Sequence, residues 1–156
     1  MRVVHRGSIQ AQLGTQRFLH QAALSISLAH LFSMDPVLVC KLAETRDRYR
    51  AELATALVED ADPLAAYDSF VKWTLESYGA HLAQSGLLEL LEEATRRFAD
   101  DATYKTDLRY LKLWLLYASH VEDPTVVYAF ALSKDIGRVY AQTYWEYAGA
   151  LERKGK

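Results

Sequence analysis

Every proline in this chain follows an aspartate: Asp35-Pro36, Asp62-Pro63 and Asp123-Pro124. An aspartate can accept from the free amides of a first helical turn, and proline sits well at the first helical position, so each pair reads as a helix start. Glycines stand between apolar periodic stretches at Gly79, Gly86 and Gly137, where they stop or reset the chain. These signals predict helices over 17–32, 36–58, 63–78, 86–99, 107–120, 124–133 and 137–154. Strict two-residue alternation and Asn-Gly hairpin signals are missing, so strands are not expected. The reading is all-α, with short connections.

Short turns between helices suggest a repeat, and the aromatic pattern carries one. FVKWTLESYG (Phe70 to Gly79) and YLKLWLLYAS (Tyr110 to Ser119) place Trp73 and Trp114 41 residues apart. VYAQTYWEYA (Val139 to Ala148) echoes RYLKLWLLYA, with Tyr140, Tyr144, Tyr147 and Ala148 standing for Tyr110, Trp114, Tyr117 and Ala118. The offsets are loose relatives of the tetratricopeptide period of about 34 residues. The expected fold is therefore an antiparallel helix-pair solenoid with degenerate tetratricopeptide-like repeats. Trp73, Trp114, Gly137 and Tyr144 are its expected structural anchors.

A chain of 156 residues, 51% hydrophobic, can bury roughly two-thirds of its unfolded surface in one compact body. Eighteen basic against 20 acidic residues argue against a nucleic-acid or membrane partner, since both need a basic face. The lone Cys40 excludes an internal disulfide or a zinc knuckle, and is expected as a small buried apolar side chain. Charge is uneven along the chain. The first 34 residues carry Arg2, Arg6 and Arg17 and no acid, leaving −5 on the remaining 122. With the run FLHQAALSISLAHLF, this start is compatible with a mitochondrial or weak secretory leader. A helix packed on the domain, or a poorly ordered extension, fits better, because the run is short for a membrane span and two histidines interrupt it.

The stretch RYLKLWLLYASHVEDP (Arg109 to Pro124) concentrates apolar surface on one helix. At about 100° per residue, Leu108, Tyr110, Leu111, Trp114, Leu115, Tyr117, Ala118 and Val121 cover one broad half, expected as core. The other half collects Arg109, Lys112, Leu113, Leu116, Ser119 and His120. Leu113 and Leu116 thus fall among polar groups, either because a solenoid helix touches neighbours on two sides or because they form a docking dyad rimmed by Arg109, Lys112 and His120.

No constellation for catalysis assembles. His5, His20, His30, His81 and His120 are scattered, with no metal-binding spacing, and no cofactor is implied. SKDIGRVY has one glycine and no strand before it, which rules out a phosphate loop, and nucleophile elbows are missing. The pairs Glu92-Glu93, Glu59-Asp60 and Asp100-Asp101 read as solvated faces, and no residue is assigned a catalytic or metal role.

Three segments carry a resemblance: Arg46 to Tyr78, Leu87 to Ala118 and Asp123 to Gly155, with DPL…KWT and RYLKLWL its most specific pieces. Together they resemble the N-terminal tetratricopeptide-like domain of the Mad/Bub spindle-assembly-checkpoint family, in a style suggesting a fungal member. The resemblance implies a rod-like, non-enzymatic helical adaptor in residues 46–156, with 1–45 an unmatched, partly helical extension; the full-length protein can carry a kinase domain. It implies an outer-kinetochore scaffold protein as partner, bound through a short helical motif on the outer side of the Asp107 to His120 helix. The positions implied are Tyr117 and His120, beside Arg109, Lys112, Leu113 and Leu116. It also implies other checkpoint proteins and the anaphase-promoting complex activator as partners, and a nuclear and cytoplasmic protein that gathers at kinetochores in mitosis.

Three departures accompany it: residues 1–45 lack a Lys-Glu-Asn motif, Asp135 stands where glycine is frequent, and Lys156 falls after the first helix of the last repeat. Tyr140, Tyr144, Tyr147 and Leu151 then form a stripe without its capping helix, through which a homodimer could form. Two alternatives share the helical pattern: an adaptor of another class, such as an RNA-processing half-repeat protein, and a small mitochondrial helical protein.

Overall fold

The computed structural model describes residues 34–59 and 62–155, and every regular element among them is helical. The helices are α1 (Pro36–Glu59), α2 (Pro63–Tyr78), α3 (Leu87–Arg97), α4 (Leu108–Ser119), α5 (Pro124–Ser133) and α6 (Ala141–Lys154), with a 3₁₀ segment at Gly79–Gln84. The helix expected over 17–32 lies outside the described residues.

Each Asp-Pro pair starts a helix by the expected chemistry. The Val37 amide donates to Asp35 Oδ1 (2.9 Å), Ala65 to Asp62 Oδ1 (3.3 Å) and Thr125 to Asp123 Oδ1 (3.1 Å). Asp62 does so from the left-handed region at φ 46°. The resetting glycines have positive φ, 45° at Gly79, 73° at Gly86 and 67° at Gly137. Asp135 also takes a positive φ of 63°, which aspartate tolerates better than most side chains.

The described residues form two compact units, one up to Leu90 and one from Leu91 onward. In the first, α1 packs on α2. Leu53, Leu64, Tyr67, Phe70 and Val71 are buried. Tyr49 stacks on both Phe70 (5.4 Å between ring centres) and Trp73 (5.2 Å), and Tyr78 meets Trp73 edge-on at 6.0 Å. Trp73 therefore bridges α1 and α2 while staying half exposed. α1 runs unbroken across 45–46, with Cys40 on its exposed side rather than in the core. Most of this helix faces outward, so the small apolar side chain has nothing to pack beneath.

In the second unit α4 packs on α5, α5 on α6, and α6 also touches α4. Trp114 is 3% exposed and joins a ring series with Tyr110 (6.2 Å), Tyr117 (6.3 Å) and Phe130 (5.7 Å). Two buried hydroxyls are satisfied by backbone carbonyls: Thr95 Oγ1 donates to Leu91 O (2.8 Å), and the Tyr110 hydroxyl to Thr95 O (2.6 Å).

The last helix begins at Ala141, not at 137. Gly137 turns the chain and donates its amide to Lys105 O (2.9 Å), and Tyr140 is extended at φ −103°, ψ 125°. Thr143 Oγ1 closes the turn on Gly137 O (2.8 Å). Four residues that read as helical by periodicity are thus spent on a turn locked to the loop before α4.

A Cβ at Gly137 would lie 2.6 Å from Leu111 Cδ1 and 2.8 Å from Thr143 Oγ1, whereas one at Gly79 meets nothing within 4 Å. Gly137→Ala should cost about 2–4 kcal/mol, from left-handed strain plus overpacking. Gly79→Ala should cost clearly less, and urea unfolding midpoints measure both. In the same assay Trp114→Ala should lose about 3–5 kcal/mol.

Candidate functional site

The candidate site is the water-facing side of α4, and the helix's two caps define where it starts and stops. Asp107 Oδ1 accepts from the Arg109 amide (2.8 Å), and its other oxygen from the Arg109 guanidinium (2.7 Å). The guanidinium bond, against a smaller opposing cost of burial, holds the Asp107 carboxyl below the usual carboxylate range. At the far end His120 Nδ1 lies 2.9 Å from Leu116 O, and Ser119 Oγ donates to the same oxygen (2.7 Å). Two of the three expected rim residues, Arg109 and His120, are therefore engaged within the helix's own ends.

Burial corrects the expected docking dyad. Leu113 is 2% exposed and Tyr117 4%. On a helix of about 100° per residue Leu113 lies only some 40° from Tyr117 and 60° from Tyr110, so the apolar arc is wider than half the circumference. Leu108, expected in the core, is 42% exposed, because it opens the helix beside Lys112 on the outer side. Leu116 is half-buried and Lys112 exposed. The outward ridge is therefore Leu108, Lys112 and Leu116 at i, i+4 and i+8, flanked by Arg109 and His120.

Tyr117 points inward toward α3. Burial pushes its phenol up to about 12, Glu92 adding to the rise and Arg96 opposing it.

Tyr144, expected as an anchor, is 47% exposed; its hydroxyl reaches Arg138 O (3.0 Å) but its ring stays at the surface. Beside it Trp145 is 81% exposed and Leu151 47%. The sequence reading followed tyrosines and passed over Trp145. Its signal was available: Ala141, Tyr144, Trp145, Ala148 and Leu151 follow helical spacing on the side of α6 opposite buried Thr143 and Ala150.

Among the described residues no group of three or more His, Cys, Asp or Glu side chains could hold a metal ion, and no helix is long and apolar enough to cross a membrane. Capped helical hairpins with an outward ridge of two leucines and a lysine define a helical-repeat domain of tetratricopeptide-like type.

The particular family follows from comparison. A family model described as Mad3/BUB1 homology region 1 matches residues 44–156, and the chain belongs to this family. The chain is 41% identical over 98 residues to the mitotic spindle checkpoint protein BUBR1 of Arabidopsis thaliana, covering 63% of this chain and 25% of that protein. It is 36% identical over 95 residues to the mitotic spindle checkpoint component mad3 of Schizosaccharomyces pombe, covering 60% and 31%. The chain thus spans less than a third of the length of these relatives. A chain in the crystal structure of a mitotic checkpoint complex superposes with TM-score 0.68 at 31% identity, over 78% of this chain and 57% of that one. The conserved N-terminal domain of the mitotic checkpoint component BUB1 also gives 0.68, at 24% identity over 76% and 65%, which establishes the shared fold. The matched region is an N-terminal homology region and not a kinase domain.

An alkaline limit follows from Tyr117. Its folded pKa lies above the unfolded value of about 10, so its contribution to stability is complete below pH 10 and lost as pH rises through about 12. The unfolding free energy should fall over that window by on the order of 2 kcal/mol from this group, read from urea unfolding at each pH, and Tyr117→Phe should flatten the fall.

Proposed function

We propose that this domain is a non-catalytic docking module of a spindle-checkpoint protein, and that the outer face of α4 receives a short amphipathic helical motif of an outer-kinetochore scaffold. One observation carries the reading: Leu108 and Leu116 bracket Lys112 along one side of α4, where Leu108 and Lys112 are exposed and Leu116 is half-buried. Two leucines two turns apart match the spacing by which a bound helix presents its own apolar stripe. Lys112 makes no ion pair among the described residues, so an acidic residue on the motif complements it. Arg109 and His120 contribute at the rim, while Leu113 and Tyr117 act from beneath by fixing the ridge. Trp73 and Trp114 hold the scaffold.

Family membership supports the wider setting of this reading. The protein acts in the nucleus and at kinetochores in mitosis, with other checkpoint proteins and the anaphase-promoting complex activator, and contributes to inhibiting that complex. Residues 1–45 are an extension to the domain at 46–156. The exposed side of α6, with Tyr144, Trp145 and Leu151, favours a second contact in which two copies pair as a homodimer. Sedimentation equilibrium at high concentration tests the pairing: a strictly monomeric species overturns it, and a dimer should be dispersed by Trp145→Ser.

The α4 reading is tested by calorimetric titration of the scaffold's helical motif, as a synthetic peptide, into Leu108→Asp and Leu116→Asp. Each should weaken binding at least tenfold with an unchanged circular-dichroism spectrum, while Val58→Asp, at a site 87% exposed on α1, leaves it intact. Unaltered affinity in both variants, or unfolding of both, would reject the ridge as the docking site.

A further inference from the structure

The same unit carries a cleft whose lining does not include the ridge residues Leu108, Lys112 and Leu116. It measures about 870 Å³ and opens among α4, the α4–α5 turn, α5 and α6. That volume is within the range of clefts that take small ligands or short peptide segments, roughly 300–1,000 Å³. Its apolar lining includes Leu115, Ala118, Val121, Pro124 and Ala150.

Two polar features of this cleft have no use in the fold. The first is Tyr128, only 5% exposed, which lines the cleft and meets the Tyr147 ring at a tilt, 5.9 Å between centres. Its hydroxyl makes no hydrogen bond among the described residues and is not one of the fully buried atoms, so the one polar end of an otherwise buried side chain opens onto the cleft. The Tyr110 and Tyr140 hydroxyls, by contrast, donate to Thr95 O and Thr106 O. The second is charge. Of the five charged residues lining the cleft, Asp123 and Lys154 neutralise each other at 2.6 Å. Glu122 and Glu146 have no ion pair among the described residues, and face a single unengaged cation, Arg153. The cleft thus offers an apolar floor, a phenol hydroxyl that no described residue engages and a net negative rim.

We propose that this cleft binds an extended peptide segment through one arginine side chain, with Glu122 and Glu146 receiving the guanidinium, Tyr128 supplying a hydrogen bond and the apolar floor packing its flanking residues. A guanidinium suits the site better than an ammonium. Its five N–H groups can serve two carboxylates and a phenol oxygen at once, and its planar face packs on apolar and aromatic surface. Arg153, at the C-terminal end of α6, limits the site to one cation-bearing residue at the Glu146 end by repelling a second.

The test compares two fluorescein-labelled heptapeptides, identical in their leucine-rich flanks, one with a central arginine and one with the neutral isostere citrulline. Anisotropy titration against the intact chain should show the arginine peptide binding at least tenfold more tightly. Glu122→Gln/Glu146→Gln should abolish that preference, and Tyr128→Phe should weaken both peptides without removing it, each variant keeping a native circular-dichroism spectrum. Leu116→Asp should leave arginine binding unchanged, which separates this cleft from the α4 ridge. Equal affinity for the two peptides, absence of binding to either, or an arginine preference that survives the double glutamine change would overturn the proposal.

Discussion

The unit from Leu91 onward depends on burial of the aromatic side of α4. Tyr110, Trp114 and Tyr117 turn inward together, and each meets a different demand of the interior. Tyr110 donates its hydroxyl proton to Thr95 O, while the Thr95 hydroxyl is committed to Leu91 O, so α3 and α4 are joined by a buried side-chain-to-backbone bond. Trp114 fills the space toward Phe130 on α5. Tyr117 lies beneath Glu92 and Arg96, which pair with each other at 2.7 Å on α3. With the inward side fixed by these contacts, the outward side of α4 becomes a rigid platform. Its composition is then free to serve recognition.

Rigidity at the other end of α4 comes from backbone rather than rings. Gly137 gives its amide to Lys105 O, and Tyr140 its hydroxyl to Thr106 O, so the α5–α6 turn and the loop before α4 hold each other. Leu111 presses where a Cβ on residue 137 would be. That close approach explains why α6 starts late: the chain must first complete a turn against α4. Lys134 and Asp100 add an ion pair across the same loops, largely exposed on the acidic side and worth little by itself.

Much of the fold was legible because its signals are local. An aspartate accepting from an amide two or three residues onward requires no knowledge of the rest of the chain, and all three Asp-Pro pairs began helices where expected. The candidate site was less legible. Leu113 and Leu108 were assigned by dividing α4 into two equal halves, and the true buried arc is wider and rotated, because α4 is covered from two directions. Cys40 failed for the converse reason: a residue type that is usually buried sits on a helix that offers most of its surface to water. Trp145 is 81% exposed, against the ordinary fate of a tryptophan, and only the spacing it shares with Tyr144, Ala148 and Leu151 signals that side of α6.

By itself the sequence determined the helical class, the starts of the helices and the family, since capping, periodicity and a pattern such as RYLKLWL are properties of short segments. Tertiary structure alone decided which leucines of α4 meet water, that residues 137–140 form a turn, and that Glu122, Tyr128 and Glu146 share one cleft. Those outcomes depend on contacts between residues far apart in the chain, and no local pattern encodes which side of a helix its distant neighbours will cover.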